Sequence, residues 1–144
     1  MSCLRQFHAG EECYVARVDG VIAHCNWIRY HGCGRVDGRP VTLETGEVYT
    51  TDAFTGEAFR GRGLHELVLS YMLEQARVRG NHRAYTITDM MKAGSRRGVK
   101  RLAWERRGVI LYVTPRAMGR TWLFRLSGDL EPIFSQARTS VAQV

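Results

Sequence analysis

Apolar positions along the chain change their period several times, and each change marks an element. Two apolar-rich runs, Cys13 to Val18 and Val21 to Trp27, flank the dipeptide Asp19-Gly20. Asp-Gly is the pair that a two-residue turn with positive φ demands, so Glu12 to Trp27 is predicted to form a β-hairpin. Gly32 to Pro40 holds four glycines or prolines in nine residues and reads as a loop. Glu47-Val48-Tyr49-Thr50-Thr51-Asp52-Ala53-Phe54 is β-branched and aromatic, is closed by Thr55-Gly56, and predicts a strand. The period then lengthens. Leu64, Leu67, Val68, Tyr71, Met72 and Ala76 recur at helical spacing up to Arg79, and Gly80-Asn81 supplies a left-handed stop. His82 to Thr88 is bounded like a strand, and Asp89 to Gly94 reads as a loop. Ser95 is placed to cap a second helix that runs to Arg107, with Gly108 as its stop. Val109 to Thr114 and Thr121 to Leu126 make a closing antiparallel pair, and 129–144 reads as a short helix or a frayed tail.

Hairpin, strand, helix, strand, helix and strand pair, in that order, predict an α/β fold: a mixed, mostly antiparallel central sheet with helices packed on its faces. The 144 residues suit one domain over 1–144, long enough to bury a core without disulfide staples. With 44% hydrophobic and 24% charged residues the composition is globular, and no apolar run nears the roughly 20 residues that cross a bilayer. No internal repeat or low-complexity segment interrupts it. Met1 to His8 lacks the apolar stretch of a secretory signal, so the expected location is cytoplasmic. Cys3, Cys13, Cys25 and Cys33 are irregularly spaced and are expected to be reduced thiols.

The net +7 comes from 19 arginines and two lysines against 14 acidic residues, an excess that suits nucleic acid, a polyanionic cofactor or simply an arginine-rich surface. The arginines are scattered from Arg5 to Arg138 without the aromatic-interleaved basic stretch that stacks bases, which argues against nucleic acid. No metal is expected: His24, Cys25, His31 and Cys33 have neither CxxC nor HxxxH spacing, and strand neighbours such as His24 and Cys25 face opposite sides. The same divergence speaks against a Cys25–His24 nucleophile pair.

The sharpest chemical signal is Phe59-Arg60-Gly61-Arg62-Gly63-Leu64, between a predicted strand and a predicted helix. Backbone N–H groups of a glycine loop converge there with the unpaired N–H groups of the helix start, a ready anion site. Gly61 and Gly63 let the backbone approach phosphate, and Arg60 and Arg62 add charge-assisted hydrogen bonds. A bare Arg-Gly-Arg-Gly run could equally be no more than a turn. The whole stretch from Asp52 to Leu64, however, resembles the signature of the GNAT superfamily of acyl-CoA N-acyltransferases, where a strand ends before an aromatic-Arg-Gly-basic-Gly run that opens the CoA-binding helix. Leu102-Ala103-Trp104-Glu105-Arg106-Arg107-Gly108-Val109 is similar to the end of that family's next helix and its step into a strand. Together the resemblance spans roughly Cys13 to Leu126.

The resemblance implies a co-substrate, acetyl-CoA or another acyl-CoA, and direct transfer of its acyl group to the amine of a small molecule or a protein. The pantetheine arm would pair with backbone groups of Phe54 and Thr55, and Arg60, Gly61, Arg62, Gly63, Leu64 and His65 would hold the pyrophosphate. His65 stands where the family usually has Gly or Ala, Arg97 where many members have asparagine, and Trp104 where many carry a tyrosine general acid. The one or two helices that usually follow the family's first strand are missing or replaced by Met1 to Glu12. These departures keep open a second reading, a catalytically degenerate domain of the same fold that binds CoA or a protein. Asp52, where the strand meets the loop, and Asp89, just past the next strand, are the candidate bases, though either could be a solvated turn residue. Tyr49 and Tyr112 are candidate acids that could equally be packed strand aromatics. The apolar run Trp122-Leu123-Phe124 and the short N-terminal region point to a homodimer.

Overall fold

The computed structural model describes residues 3–36, 39–88, 101, 104–106, 108–113 and 122–128. They divide into two compact units, Met1–His31 with Glu44–Trp104, and Gly32–Leu43 with Glu105–Val144.

The first unit starts with a six-residue helix, α1 (Cys3–His8), and the predicted hairpin, β1 (Glu12–Val18) and β2 (Val21–Arg29). Asp19 and Gly20 have φ of 50° and 80°, the two positive values that this turn requires. β5 (Glu47–Thr55) lies antiparallel to β2, and β6 (Arg83–Thr86) lies parallel to β5, giving the order β1-β2-β5-β6. Between them runs α2 (Leu64–Val78). Its end matches the expected stop: Gly80 has φ 85°, its N–H donates to Arg77 O at 2.9 Å, and the Asn81 N–H donates to Ala76 O at 3.0 Å.

Successive residues of β2 place helices on both faces of this sheet. Ile28 is buried with Val48, Leu69, Met72 and Ala76 to form the core against α2. Trp27, one residue earlier, meets Phe7 of α1 edge-on with ring centroids 4.8 Å apart. The α2 stripe is rotated from the predicted one, because Leu69 takes a buried place while Leu67 and Tyr71 stay exposed.

In the second unit, β3 (Cys33–Val36) pairs antiparallel with β4 (Arg39–Thr42), where the glycine and proline count had predicted a loop. Two short edge-like strands tolerate Gly34 and Pro40 because each lacks a partner on its other side among the described residues. The predicted closing pair is present as β7 (Gly108–Val113) and β8 (Trp122–Gly128). Of the predicted second helix, Arg101 is helical but Trp104, Glu105 and Arg106 are not, so the helix stops before Trp104 rather than at Arg107. Trp104 packs instead against the core of the first unit. The remainder of that helix, the 89–94 loop and the 129–144 segment lie outside the described residues. No described helix is long and apolar enough to cross a membrane.

Candidate functional site

Among the described residues, β5 is paired on both edges at Tyr49 and Thr50 and on one edge where it ends. Glu47, Val48, Tyr49 and Thr50 pair with Arg83 to Thr86 of β6. From Thr51 onward, among the described residues, β5 keeps only β2, with Thr51 opposite Trp27, Phe54 opposite Cys25 and Thr55 opposite His24. The base of the parallel pair is fixed by Glu47, whose Oε1 accepts from Tyr85 Oη at 2.8 Å and from Arg83 Nη1 at 3.0 Å. Its Oε2 accepts from the Glu44 N–H at 3.1 Å. Burial pushes the Glu47 pKa up, but these three donors outweigh it and hold the carboxyl below its ordinary value. The parallel pair is therefore fixed at its start, and among the described residues it ends at Thr50 and Thr86.

The β2–β5 register slips between Cys25 and Trp27, so that Asp52 and Ala53 together oppose Asn26. Asp52 takes φ 45°, a left-handed value that Asp tolerates better than most residues. Such a bulge re-aims side chains. The Asp52 carboxylate is exposed, and its Oδ2 accepts from Gln6 Nε2 of α1 at 2.9 Å.

Beyond β5 the chain is tethered by the Gly56 N–H, which donates to Ala23 O at 2.9 Å, and then makes one 3₁₀ turn over Glu57–Phe59. Gly61 and Gly63 have φ of 76° and 72°, and nothing lies within 4 Å of where a Cβ would stand on either. The glycines are thus required by the backbone bend, and the space they leave opens outward. Gly63 is the N-cap of α2, and the helical ladder begins with the Leu67 N–H donating to Gly63 O at 3.0 Å. The N–H groups of Leu64, His65 and Glu66 have no partner within the helix. Arg60 and Arg62 are exposed, Arg60 bonded to Glu57 at 3.1 Å and Arg62 lying 5.4 Å from the centre of the Phe59 ring.

His24 ties the end of β5 to the start of α2. Its Nδ1 is 2.7 Å from Thr55 Oγ1, and its ring centroid is 5.5 Å from that of His65. Its Nε2 is buried with no hydrogen-bond partner among the described residues. Burial, and next the neighbouring His65, push the His24 pKa down to about 4, while Glu66 acts the other way. Burial also lowers His65, again against Glu66. Both imidazoles are therefore neutral at neutral pH.

Of the predicted site residues, the structure brings Phe54, Thr55, Arg60, Gly61, Arg62, Gly63, Leu64 and His65 onto one continuous strand-loop-helix segment, with Asp52 three residues before Thr55. Asp89 and the Tyr112 side chain lie outside what is described, and Tyr49 is buried. Trp104 is half-buried, and its Nε1 is buried without a partner among the described residues. No group of three or more described His, Cys, Asp or Glu side chains is arranged to hold a metal ion. Sequence reasoning missed Gln6 entirely and gave His24 no role at this site. Both act through pairings across 46 and 31 residues of sequence, which no local pattern announces.

No protein-family model and no curated protein matches the chain. Solved structures do. A ribosomal-protein-alanine N-acetyltransferase from Brucella melitensis is 20% identical with a TM-score of 0.58, the match covering 83% of this chain and 68% of that one. A Clostridium acetobutylicum structure described as a predicted acetyltransferase with acetyl-CoA is 16% identical with a TM-score of 0.53, covering 72% of this chain and 64% of that one. AAC(6')-Iy, in complex with the bisubstrate analogue CoA-S-monomethyl-acetylneamine, is 18% identical with a TM-score of 0.55, covering 74% and 69%. At these identities the likeness is one of fold.

Proposed function

We propose that this chain, which has the fold of the GNAT acetyltransferases, is an acyl-CoA-dependent N-acyltransferase that moves an acyl group directly from the thioester to an amine. The observation that carries this reading is the edge of β5 from Thr51 to Thr55, which has no strand partner among the described residues and leads through one 3₁₀ turn into a glycine loop at the start of α2. Strand-edge amides without a partner among the described residues suit the amides of a pantetheine arm, and a helix start with two positive-φ glycines suits a pyrophosphate. In the proposed complex, backbone groups of Phe54 and Thr55 pair with pantetheine. The N–H groups of the segment from Gly61 to His65, with the Arg60 and Arg62 guanidiniums, hold the phosphates. Two of the structures of like fold carry acetyl-CoA or a CoA analogue in their descriptions, which supports the same class of co-substrate here.

For the chemistry, Asp52 is the proposed base. Its carboxylate is exposed at the bulge beside that edge, so an acceptor amine can reach it from solvent. The amine nitrogen attacks the thioester carbonyl carbon, its proton passes to Asp52 directly or through a water, the C–S bond breaks, and the thiolate takes up a proton as CoA leaves. An amine of a small molecule or of a protein would serve as acceptor. Acceptors of both kinds are named for structures of like fold.

Trp104 favours a second reading, a domain that binds CoA without turnover. Its ring packs on the core and its indole N–H is no practical proton donor, where the resemblance places a tyrosine acid. Thermal unfolding with millimolar acetyl-CoA, alongside CoA-thiol release with an alkylamine, an aminosugar and a peptide with a free α-amino group, separates the readings. A stabilising shift with transfer supports the enzyme, a shift without transfer the binding domain, and no shift contradicts both.

A further inference from the structure

α1 is buried the wrong way round for a helix held by hydrophobic contact. Its buried residue is Gln6, 3% exposed, while Leu4 and Phe7 are 68% and 58% exposed. Burying a primary amide costs free energy unless its donors are satisfied, so a short helix that exposes leucine to bury glutamine is organised around what that amide does. The Gln6 Nε2 donates to Asp52 Oδ2 at 2.9 Å. The backbone around it is fixed as well: Gln6 O accepts from the Ala9 and Glu11 N–H groups at 3.1 and 3.0 Å, and Phe7 stacks edge-on against Trp27. Asp52 needs such support, because it stands on a bulge at φ 45° with an exposed side chain and no described strand on its outer edge.

We infer that Gln6 is a positioning residue for the acyl-transfer site: its amide holds one carboxylate oxygen of Asp52 and leaves Oδ1 turned to the incoming amine. The inference rests on the proposed role of Asp52 as base. A carboxylate with one oxygen pinned presents its other lone pairs in one direction, and a base misplaced by an ångström loses orders of magnitude in rate. α1 thereby becomes part of the acceptor side of the site rather than a loose N-terminal turn. The amide acts only through Asp52, so its removal should change turnover and leave the phosphate loop alone.

The test uses the full chain, acetyl-CoA and whichever of the three amines above is acetylated fastest, with CoA-thiol release as readout. Gln6→Met keeps the length and removes the donor, and Gln6→Glu is a second variant of the same size should the first fail to fold. Each is assayed alone and in an Asp52→Ala background. The expected result is a fall in kcat of roughly 10- to 100-fold for Gln6→Met, and at least as much for Gln6→Glu, whose carboxylate repels that of Asp52. The KM for acetyl-CoA and the acetyl-CoA thermal shift stay unchanged, and neither Gln6 substitution costs anything further in the Asp52→Ala background. If Asp52→Ala is impaired while both Gln6 variants turn over like the parent chain, or if the two losses multiply, the positioning role is overturned and the base survives. If Asp52→Ala turns over normally, the base reading falls and the positioning role with it.

Discussion

Thr55 Oγ1 lies 2.7 Å from His24 Nδ1 on the last rung of the β2–β5 ladder, and the same imidazole meets His65 in the first turn of α2. The end of the strand and the start of the helix, which the proposed cofactor must bridge, are thus joined beneath the loop by side chains as well as by chain connectivity. The joint depends on neutral imidazoles.

That dependence gives a pH prediction. Folding lowers the His24 pKa from 6.5 to about 4, so below 6.5 the unfolded chain binds a proton that the folded chain refuses. The contribution of His24 is therefore fully present above pH 6.5, is lost as pH falls, and is gone near pH 4. The loss is on the order of 2–3 kcal/mol across this window, and the lowered His65 adds to it. Urea unfolding at pH 7.5 and pH 4.5 should show the fall for the parent chain and a smaller one for His24→Phe. Equal falls in both would remove His24 as its source.

A second prediction concerns the support of α1. Glu11, its side chain 2% exposed, is paired with the Arg29 guanidinium, whose side chain is 11% exposed; Nε donates at 3.1 Å and Nη2 also donates to the same oxygen. Removing one partner of a buried pair strands the other charge. Arg29→Met should cost about 3–5 kcal/mol in chemical denaturation, while Glu11→Gln, which leaves a neutral amide, should cost less. A loss below about 1 kcal/mol for Arg29→Met would mean that the pair is effectively solvated.

The elements around these residues were largely legible, because each rests on local chemistry. Asp19-Gly20 announced its turn, Gly80-Asn81 the end of α2, and Gly61 and Gly63 the bend before α2. What failed was tertiary. The glycines and proline of 32–40 concealed β3 and β4, whose pairing supplies what their propensity lacks, and Trp104 leaves the helix to pack on the core. The site divided along the same line. The phosphate segment is contiguous and could be read, whereas Gln6 and His24 join it only through strand register and a helix docked 46 residues away from Asp52 in sequence.

The phosphate loop yields a third prediction. Arg60→Ala with Arg62→Ala removes two exposed guanidiniums without touching the core, so the fold should persist while acetyl-CoA affinity drops roughly 10- to 100-fold. Gly63→Glu should abolish the acetyl-CoA thermal shift, since it puts a carboxylate into the space that opens at the N-cap and strains a residue at φ 72°. Gly63→Ala separates the two effects, because it adds the strain, about 1–2 kcal/mol, without the charge. A full shift in all three variants would place the phosphates elsewhere.

The last prediction concerns the base itself. Asp52→Asn keeps the shape of the side chain and its place on the bulge but cannot take up a proton at neutral pH, so only the chemistry should suffer. Turnover should fall by ~10²–10⁴-fold, the range for a positioned base, while the acetyl-CoA thermal shift stays where it was. The amide can still accept from Gln6, so α1 should stay docked and denaturant stability should change little. That separates this variant from those at Glu11 and Arg29, which act on stability. Asp89→Asn, assayed beside it, addresses the rival base that the sequence offered. If Asp89→Asn shows the loss and Asp52→Asn does not, the proton leaves past the end of β6 rather than at the bulge, and Gln6 has no part in catalysis. Unchanged rates in both would leave the amine to lose its proton to bulk water, with the chain contributing only the geometry of the β5 edge and the phosphate loop.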